Sequence, residues 1–192
     1  DISQDEYKEY ANIIGTNGGL LQRLIDDIID VSKIETKKLK VVKTNFKVND
    51  LFNEIYQSFS LNEDKDGDVK MHLNIPNNQE ELNLFADPFR IKQILTNLVT
   101  NAKKFTSKGE INIGYHVIDK KTIEFYVSDT GKGISEDDLK LIFSRFEQGT
   151  NIDINEIKGF GLGLAICRGL THIMGGKIHV ESTLNEGSKF SV

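Results

Sequence analysis

Apolar residues along the first forty positions recur at helical spacing. Ile14, Leu21, Leu24, Ile28 and Val31 follow heptad-like steps, flanked by Ile13, Leu20, Ile25, Ile29 and Ile34. Ser3-Gln4-Asp5-Glu6 has the spacing of a capping box, which starts a helix. The stripe is too wide for a lone surface helix. It predicts one long bundle-type helix over residues 1–40, with Asp26, Asp27 and Asp30 toward solvent. Gly18-Gly19 weakens its middle by about 1 kcal/mol per glycine, so neighbouring packing must hold it.

Beyond Lys40 the pattern becomes mixed. A short strand is expected at 41–46, an amphipathic helix at 49–59, a polar loop at 62–68, and strands at 69–75 and 82–86. Asp87-Pro88 is an N-cap followed by proline at the first helical position, opening a helix to about Phe105. Residues 111–117 and 122–128 alternate as two strands joined by the Asp119-Lys120-Lys121 turn. A short helix at 135–143, a polar loop at 146–158, and a helix at 162–174 ended by Gly175-Gly176 follow. Strands at 177–182 and 188–192 finish the pattern. The mixture predicts an α+β fold for residues 41–192: a two-layer α/β sandwich, its mixed sheet covered by helices on one face.

Composition narrows the function classes. A chain of 192 residues, 38% hydrophobic, can bury one sizeable core with a small appendage. A formal net charge of -5 argues against an electrostatic grip on nucleic acid or an anionic membrane surface, although a local basic site stays open. The single cysteine, Cys167, cannot form an internal disulfide; it fits a reducing cytosol and a buried small residue. No apolar run approaches the roughly 20 residues that span a bilayer, and no signal peptide opens the sequence. The segment is expected to be cytoplasmic without direct membrane contact, and a longer parent could be anchored.

Four stretches carry candidate chemistry. On the helix after Asp87, the residues Ile91, Ile94, Leu95, Leu98, Ala102 and Phe105 share one face, and Arg90, Gln93, Asn97, Asn101 and Lys104 share another. Asparagine is a mediocre helix former, so two of them a turn apart stand out. The Asn101 amide oxygen suits the octahedral oxygen shell of Mg²⁺ beside triphosphate oxygens, with Lys104 as a point charge; an ordinary solvated face is the alternative. Asp129-Thr-Gly-Lys-Gly-Ile134 leaves a strand. A carboxylate only accepts, so Asp129 would select the exocyclic amine of adenine, with Gly131 and Gly133 letting a flat base approach; a plain glycine turn is the alternative. Phe143-Ser-Arg-Phe146 precedes a stretch with the length and polarity of a mobile lid. Gly159-Phe-Gly-Leu-Gly163-Leu then presents bare backbone before a helix, as phosphate sites do. Its spacing matches neither the dinucleotide fingerprint nor the P-loop, and a permissive linker turn is the alternative.

Taken in order, Asn97…Asn101-Ala-Lys-Lys104-Phe-Thr, Asp129-Thr-Gly-Lys-Gly-Ile134, Phe143-Ser-Arg-Phe146 and Gly159-Phe-Gly-Leu-Gly163-Leu164 resemble the N, G1, F and G2 boxes of sensor histidine kinases. That family shares a superfamily with gyrase, mismatch-repair ATPases and large heat-shock chaperones. Gly175-Gly-Lys-Ile…Ser182…Gly187-Ser188-Lys-Phe resembles its last strands, and the stretch from Leu20 to Glu35 is similar to the second helix of its dimerisation and phosphoacceptor hairpin. The resemblance implies ATP and Mg²⁺ as ligands, with Asn101 on the metal, Asn97 and Lys104 on phosphates, and Asp129 on adenine. Gly131, Gly133 and Ile134 would shape the adenine pocket. Gly159, Gly161, Leu162, Gly163 and Leu164 would bring lid backbone and a helix N-terminus to the triphosphate. Phe143 and Phe146 would brace the lid, and Ser188 joins the nucleotide-contacting positions. Arg145 reaches a phosphate or is simply exposed.

Two departures qualify the resemblance. The family's acceptor histidine lies on the first hairpin helix, before an acidic residue and, shortly after, a proline; His72, His116, His172 and His179 all lack that setting. The chain is expected to hold the ATP-binding half of the reaction without its own substrate. Its partners would be a phosphoacceptor helix of the same or a partner subunit and a response-regulator receiver domain, in a homodimeric parent. Second, the ATPase relatives place a glutamate one turn before the metal-binding asparagine, where this chain has Asn97, whose amide takes no proton. Slow hydrolysis is expected, and transfer to a protein nucleophile is favoured. An ATP-driven conformational machine and a non-hydrolysing, nucleotide-sensing dimerisation module remain the alternatives.

Overall fold

The computed structural model describes residues 3–60, 68–76, 82–144 and 161–192. The chain divides into two compact units, Asp1–Leu39 and Lys40–Val192.

The first unit is a single helix, α1 (Gln4–Glu35). Its capping box forms as the sequence requires: the Glu6 N–H donates to Ser3 Oγ at 3.3 Å, and the Ser3 N–H donates to the Glu6 carboxylate at 2.8 Å. Gly18 and Gly19 stay helical. No residue of α1 is buried; Ile13, Ile14, Leu20, Leu21, Ile25, Ile28 and Ile29 are 43 to 72% exposed, and Leu24 between them is half-buried. Asp26 faces solvent as expected, whereas Asp27 and Asp30 are half-buried. Burial, then the neighbouring Asp30 and Asp26 carboxylates, raise the Asp27 carboxyl above its usual range.

The second unit runs β1 (Thr44–Lys47), α2 (Val48–Ser60), β2 (Val69–Asn74), β3 (Asn83–Ala86), α3 (Pro88–Phe105), β4 (Gly109–Val117), β5 (Ile123–Asp129), α4 (Glu136–Leu139), α5 (Gly163–Ile173), β6 (His179–Thr183) and β7 (Gly187–Ser191). Five strands make a mixed sheet in the order β2-β4-β5-β7-β6, in which β2 and β4 are parallel and the other pairs antiparallel. Helices α2, α3 and α5 form the second layer. Alternation puts Ile111, Ile113 and Tyr115 of β4 and Phe125 and Val127 of β5 into the core, against Phe52 and Ile55 of α2, Ile94, Leu95 and Leu98 of α3, and Ile166 and Leu170 of α5. Phe52 packs on Tyr115 and Phe125 with ring centroids 5.4 and 5.6 Å apart, and the Tyr115 hydroxyl donates to Asn49 Oδ1 at 2.7 Å, tying sheet to helix layer. Cys167 is buried in α5.

Three local differences from the pattern have physical causes. β1 and β3 pair with each other as a separate antiparallel ribbon. Residue 42 does not join β1, because the Val42 N–H donates to Asp87 Oδ2 at 2.8 Å instead of to a strand. The helix expected over 135–143 is α-helical only at Glu136–Leu139. It then tightens, with the Leu141 N–H bonded to the Asp138 carbonyl three residues back. The expected loop over 146–158 lies outside the described residues. Among the described residues, no helix is long and apolar enough to cross a membrane.

Candidate active site

The rotation of α3 is set at its first turn. Asp87 is 4% exposed; its Oδ1 accepts the Arg90 N–H at 3.1 Å and its Oδ2 accepts the Val42 N–H, with Pro88 at the first helical position. Ile91, Ile94, Leu95, Leu98, Val99 and Ala102 are then buried, which leaves Asn97, Asn101 and Lys104 half-exposed in a row along the helix edge. Asn97 Nδ2 is shielded from solvent and has no hydrogen-bond partner among the described residues. A Cβ at Gly163 would stand 3.9 Å from Asn97 Cγ and Nδ2, so this amide faces the first residue of α5. There the N-cap is Leu162, 1% exposed, which gives no side-chain hydrogen bond to the helix amides. Gly161 precedes it at φ 69, and Leu164 is half-exposed. The structure thus brings the asparagine helix and the end of the glycine stretch together.

The Asp129 loop is clamped from both sides. On the α3 side, the Lys132 N–H donates to the Phe105 carbonyl at 3.1 Å. On the other side, the Asn185 N–H from the β6–β7 turn donates to the Lys132 carbonyl at 2.7 Å. The Ile134 N–H donates to Ser182 Oγ at 2.9 Å; the Ser182 hydroxyl donates to the Gly187 carbonyl at 2.8 Å and lies 3.0 Å from Ser188 Oγ. Gly131 N–H closes a tight turn on Asp129 Oδ1 at 2.9 Å.

This clamping explains the glycines differently from the sequence pattern. A Cβ at Gly131 would collide with the Phe105 carbonyl and lie 2.8 Å from Thr106 Oγ1 and 2.9 Å from Asp129 Oδ1. Gly133 combines φ 65 with the Thr183 carbonyl in its Cβ position. Protein backbone, pressed in from both neighbours, requires bare positions here. The two glycines let the loop sit directly against its neighbours.

Asp129 stands opposite Ile111 of β4 and Ser188 of β7 at the end of β5. Burial raises its carboxyl above the ordinary aspartate range, against the backbone N–H groups of Gly131 and Ser188, which favour the charged form. It is a half-buried acceptor bonded by the Gly131 N–H at 2.9 Å, with acceptor capacity left over.

The remaining predicted positions are spread more widely. Phe143 is half-buried, with the Arg168 guanidinium of α5 6.0 Å over its ring. Ser188 is buried beside Ser182. Arg145, Phe146 and Gly159 lie outside the described residues. Ser182, which the sequence shows only as part of the last strands, holds the Asp129 loop through the Ile134 N–H; a serine within an alternating strand carries no signal of that contact. Sequence reasoning also assigns Phe105 to the core face, whereas both Lys104 Nζ and Lys132 Nζ lie 4.7 Å from its ring centroid.

A family model described as histidine kinase-, DNA gyrase B- and HSP90-like ATPase matches residues 86–192. The chain belongs to this ATPase family. It is 35% identical to the histidine protein kinase DivJ of Caulobacter vibrioides over 189 residues, which cover 98% of this chain and 31% of DivJ. The crystal structure of the catalytic domain of histidine kinase ThkA is similar at 33% identity and TM-score 0.65, over 78% of this chain and 93% of that one. ThkA in complex with the response regulator protein TrrA matches at 29% identity and TM-score 0.71, over 98% of this chain and 51% of that one. Full-length ShkA in complex with AMPPNP matches at 26% identity and TM-score 0.83, over 100% of this chain and 39% of that one. Within the family, the chain carries the catalytic ATPase domain of a two-component histidine kinase. It spans less than a third of the length of DivJ.

Proposed function

We propose that this chain binds ATP with Mg²⁺ and delivers the γ-phosphoryl group to a histidine on a phosphoacceptor helix, from which it passes to a response-regulator aspartate. In this reading residues 1–40 are the second helix of the dimerisation hairpin and residues 41–192 the ATP-binding domain of a cytoplasmic segment in a homodimeric parent. The α1 stripe, uncovered in the single chain, is consistent with helix pairing. The ThkA–TrrA complex supports a response regulator as partner.

The observation that carries the reading is the buried Asn97 Nδ2, which faces Gly163 and has no partner among the described residues, with Asn101 and Lys104 on the same edge. A secluded N–H donor fits an anionic oxygen, since leaving it unpaired costs about 1–3 kcal/mol. The Asn101 amide oxygen is a hard donor suited to Mg²⁺, and Lys104 suits phosphate. When bound, ATP supplies the phosphoryl group and Mg²⁺ neutralises charge on its oxygens. Asp129 accepts from the adenine amine within the loop framed by Gly131, Gly133, Ile134 and Ser188. Gly159, Gly161, Leu162, Gly163 and Leu164 present backbone to the phosphates, with Phe143 and Phe146 bracing that segment. Asn97 cannot deprotonate water, so the site favours a protein nucleophile over hydrolysis.

Titration with Mg²⁺ and AMPPNP tests this. Asn101→Ala and Asp129→Ala are each expected to weaken binding about tenfold or more. Unchanged affinity in both removes the assignment. Phosphate transfer from labelled ATP to an added histidine-bearing acceptor helix tests the second half.

A further inference from the structure

A second basic element adjoins the site. A cleft of about 330 Å³ opens against Gly131, and the residues lining it include Lys104, Phe105, Lys108, Thr130, Lys132 and Asn185. Among its described lining residues three are lysines and none is acidic, in a chain whose formal net charge is -5. Cations are concentrated here against the overall balance, and such a concentration favours an anionic ligand.

The arrangement of two of these lysines is specific. Lys104 comes from the last turn of α3 and Lys132 from the loop after β5, yet both ammonium groups sit 4.7 Å from the centroid of the Phe105 ring. The ring face attracts each cation and so brings two positive charges to one side of the cleft. The Lys132 backbone is fixed at both ends, by the Phe105 carbonyl and by the Asn185 N–H, so its side chain starts from a rigid position. Its neighbour Gly131 is hydrogen-bonded to the Asp129 carboxylate. An acceptor for the adenine amine and a cationic cleft therefore adjoin the same glycine.

We infer that Lys132 is a second phosphate-binding cation of the nucleotide site, set by Phe105 to work with Lys104, and that Lys108 adds charge at the rim. The inference rests on the ATP-binding reading above, and it assigns the loop lysine to the polyphosphate and not to adenosine.

Calorimetric titration of the whole chain with MgATP, and separately with adenosine, tests it. Lys132→Met keeps the apolar stem and removes the charge. It is expected to weaken MgATP binding about two- to fivefold and flatten its salt dependence, while adenosine binds as before. Lys132→Arg should restore most of the loss, and Lys108→Met should show a smaller deficit of the same kind. Phe105→Leu, which removes the shared ring, should reproduce the Lys132→Met phenotype. MgATP affinity unchanged in Lys132→Met, or an equal loss for adenosine and MgATP, overturns the inference and leaves the adenine reading standing. Absence of saturable MgATP binding by the unmodified chain removes both.

Discussion

A side chain at Gly131 would run into the Phe105 carbonyl oxygen, to which the Lys132 N–H is bonded at 3.1 Å. The end of α3 and the Asp129 loop are thus seated directly on one another. Gly131→Ala has to part them, at a cost of about 1–3 kcal/mol typical of overpacking in a tight site. Thermal melting should show that loss, and nucleotide affinity should fall with it because Asp129 shares the turn.

The two glycines beside α5 should behave in opposite ways. Gly161 holds φ 69, so Gly161→Ala is expected to cost about 1–2 kcal/mol and to weaken ATP binding without unfolding the domain. At Gly163 an added Cβ meets only Asn97 at 3.9 Å, so Gly163→Ala should stay within about 0.5 kcal/mol of the unmodified protein. Parallel melts and ATP titrations separate the two.

Asn97→Leu removes an amide whose Nδ2 has no partner among the described residues and keeps a similar shape. Stability of the ligand-free protein should be unchanged or rise by about 1 kcal/mol, while phosphoryl transfer to an added acceptor is abolished. A variant that loses stability instead would mean that the Asn97 amide is satisfied within the protein.

The raised Asp129 carboxyl gives a signed dependence on pH. The folded protein holds that proton more tightly than the unfolded chain, so ionising Asp129 opposes folding as pH rises above the unfolded value of about 3.9. Asp129→Asn lacks this contribution. Its stability relative to the unmodified chain should therefore improve as pH rises from that value through the folded-state pKa, and then level off. Denaturant melts across this range check the direction.

A Ser182→Ala change tests the other side of the clamp. It leaves the Ile134 N–H without its acceptor, at an expected cost of about 1–3 kcal/mol. The hairpin of β6 and β7 should then protect the Ile134 amide less in hydrogen exchange.

Much of this fold is legible in the sequence because its elements follow from local rules. Asp87-Pro88 marks the start of α3 to the residue, and strict alternation marks β4 and β5. What escapes is non-local. Nothing around Val42 announces that its N–H will serve Asp87 rather than a strand, and nothing near Gly131 or Gly133 announces the Phe105 and Thr183 carbonyls that crowd them. The same holds at the site: Asn97, Asn101 and Asp129 are visible as unusual residues for their elements, whereas Lys132 and Ser182 acquire meaning only from contacts across the sheet and the helix layer. Phe105 was assigned by helical angle to the core, but it sits where α3 ends, and the last turn is where a helix face stops predicting its neighbours.

The sheet order has a consequence for biosynthesis. β7 lies between β5 and β6 and supplies Ser188 opposite Asp129, so the strand that carries the acidic site residue stays open on one edge until almost the last of these residues has been made. On the ribosome, β4 and β5 can pair early, but the pocket is finished only when β7 emerges and slides in beside β5. On the proposed reading, a nascent domain stalled before Gly187 would carry Asn97, Asn101 and Asp129 with one edge of β5 still open, and would gain its adenine site only once β7 is made.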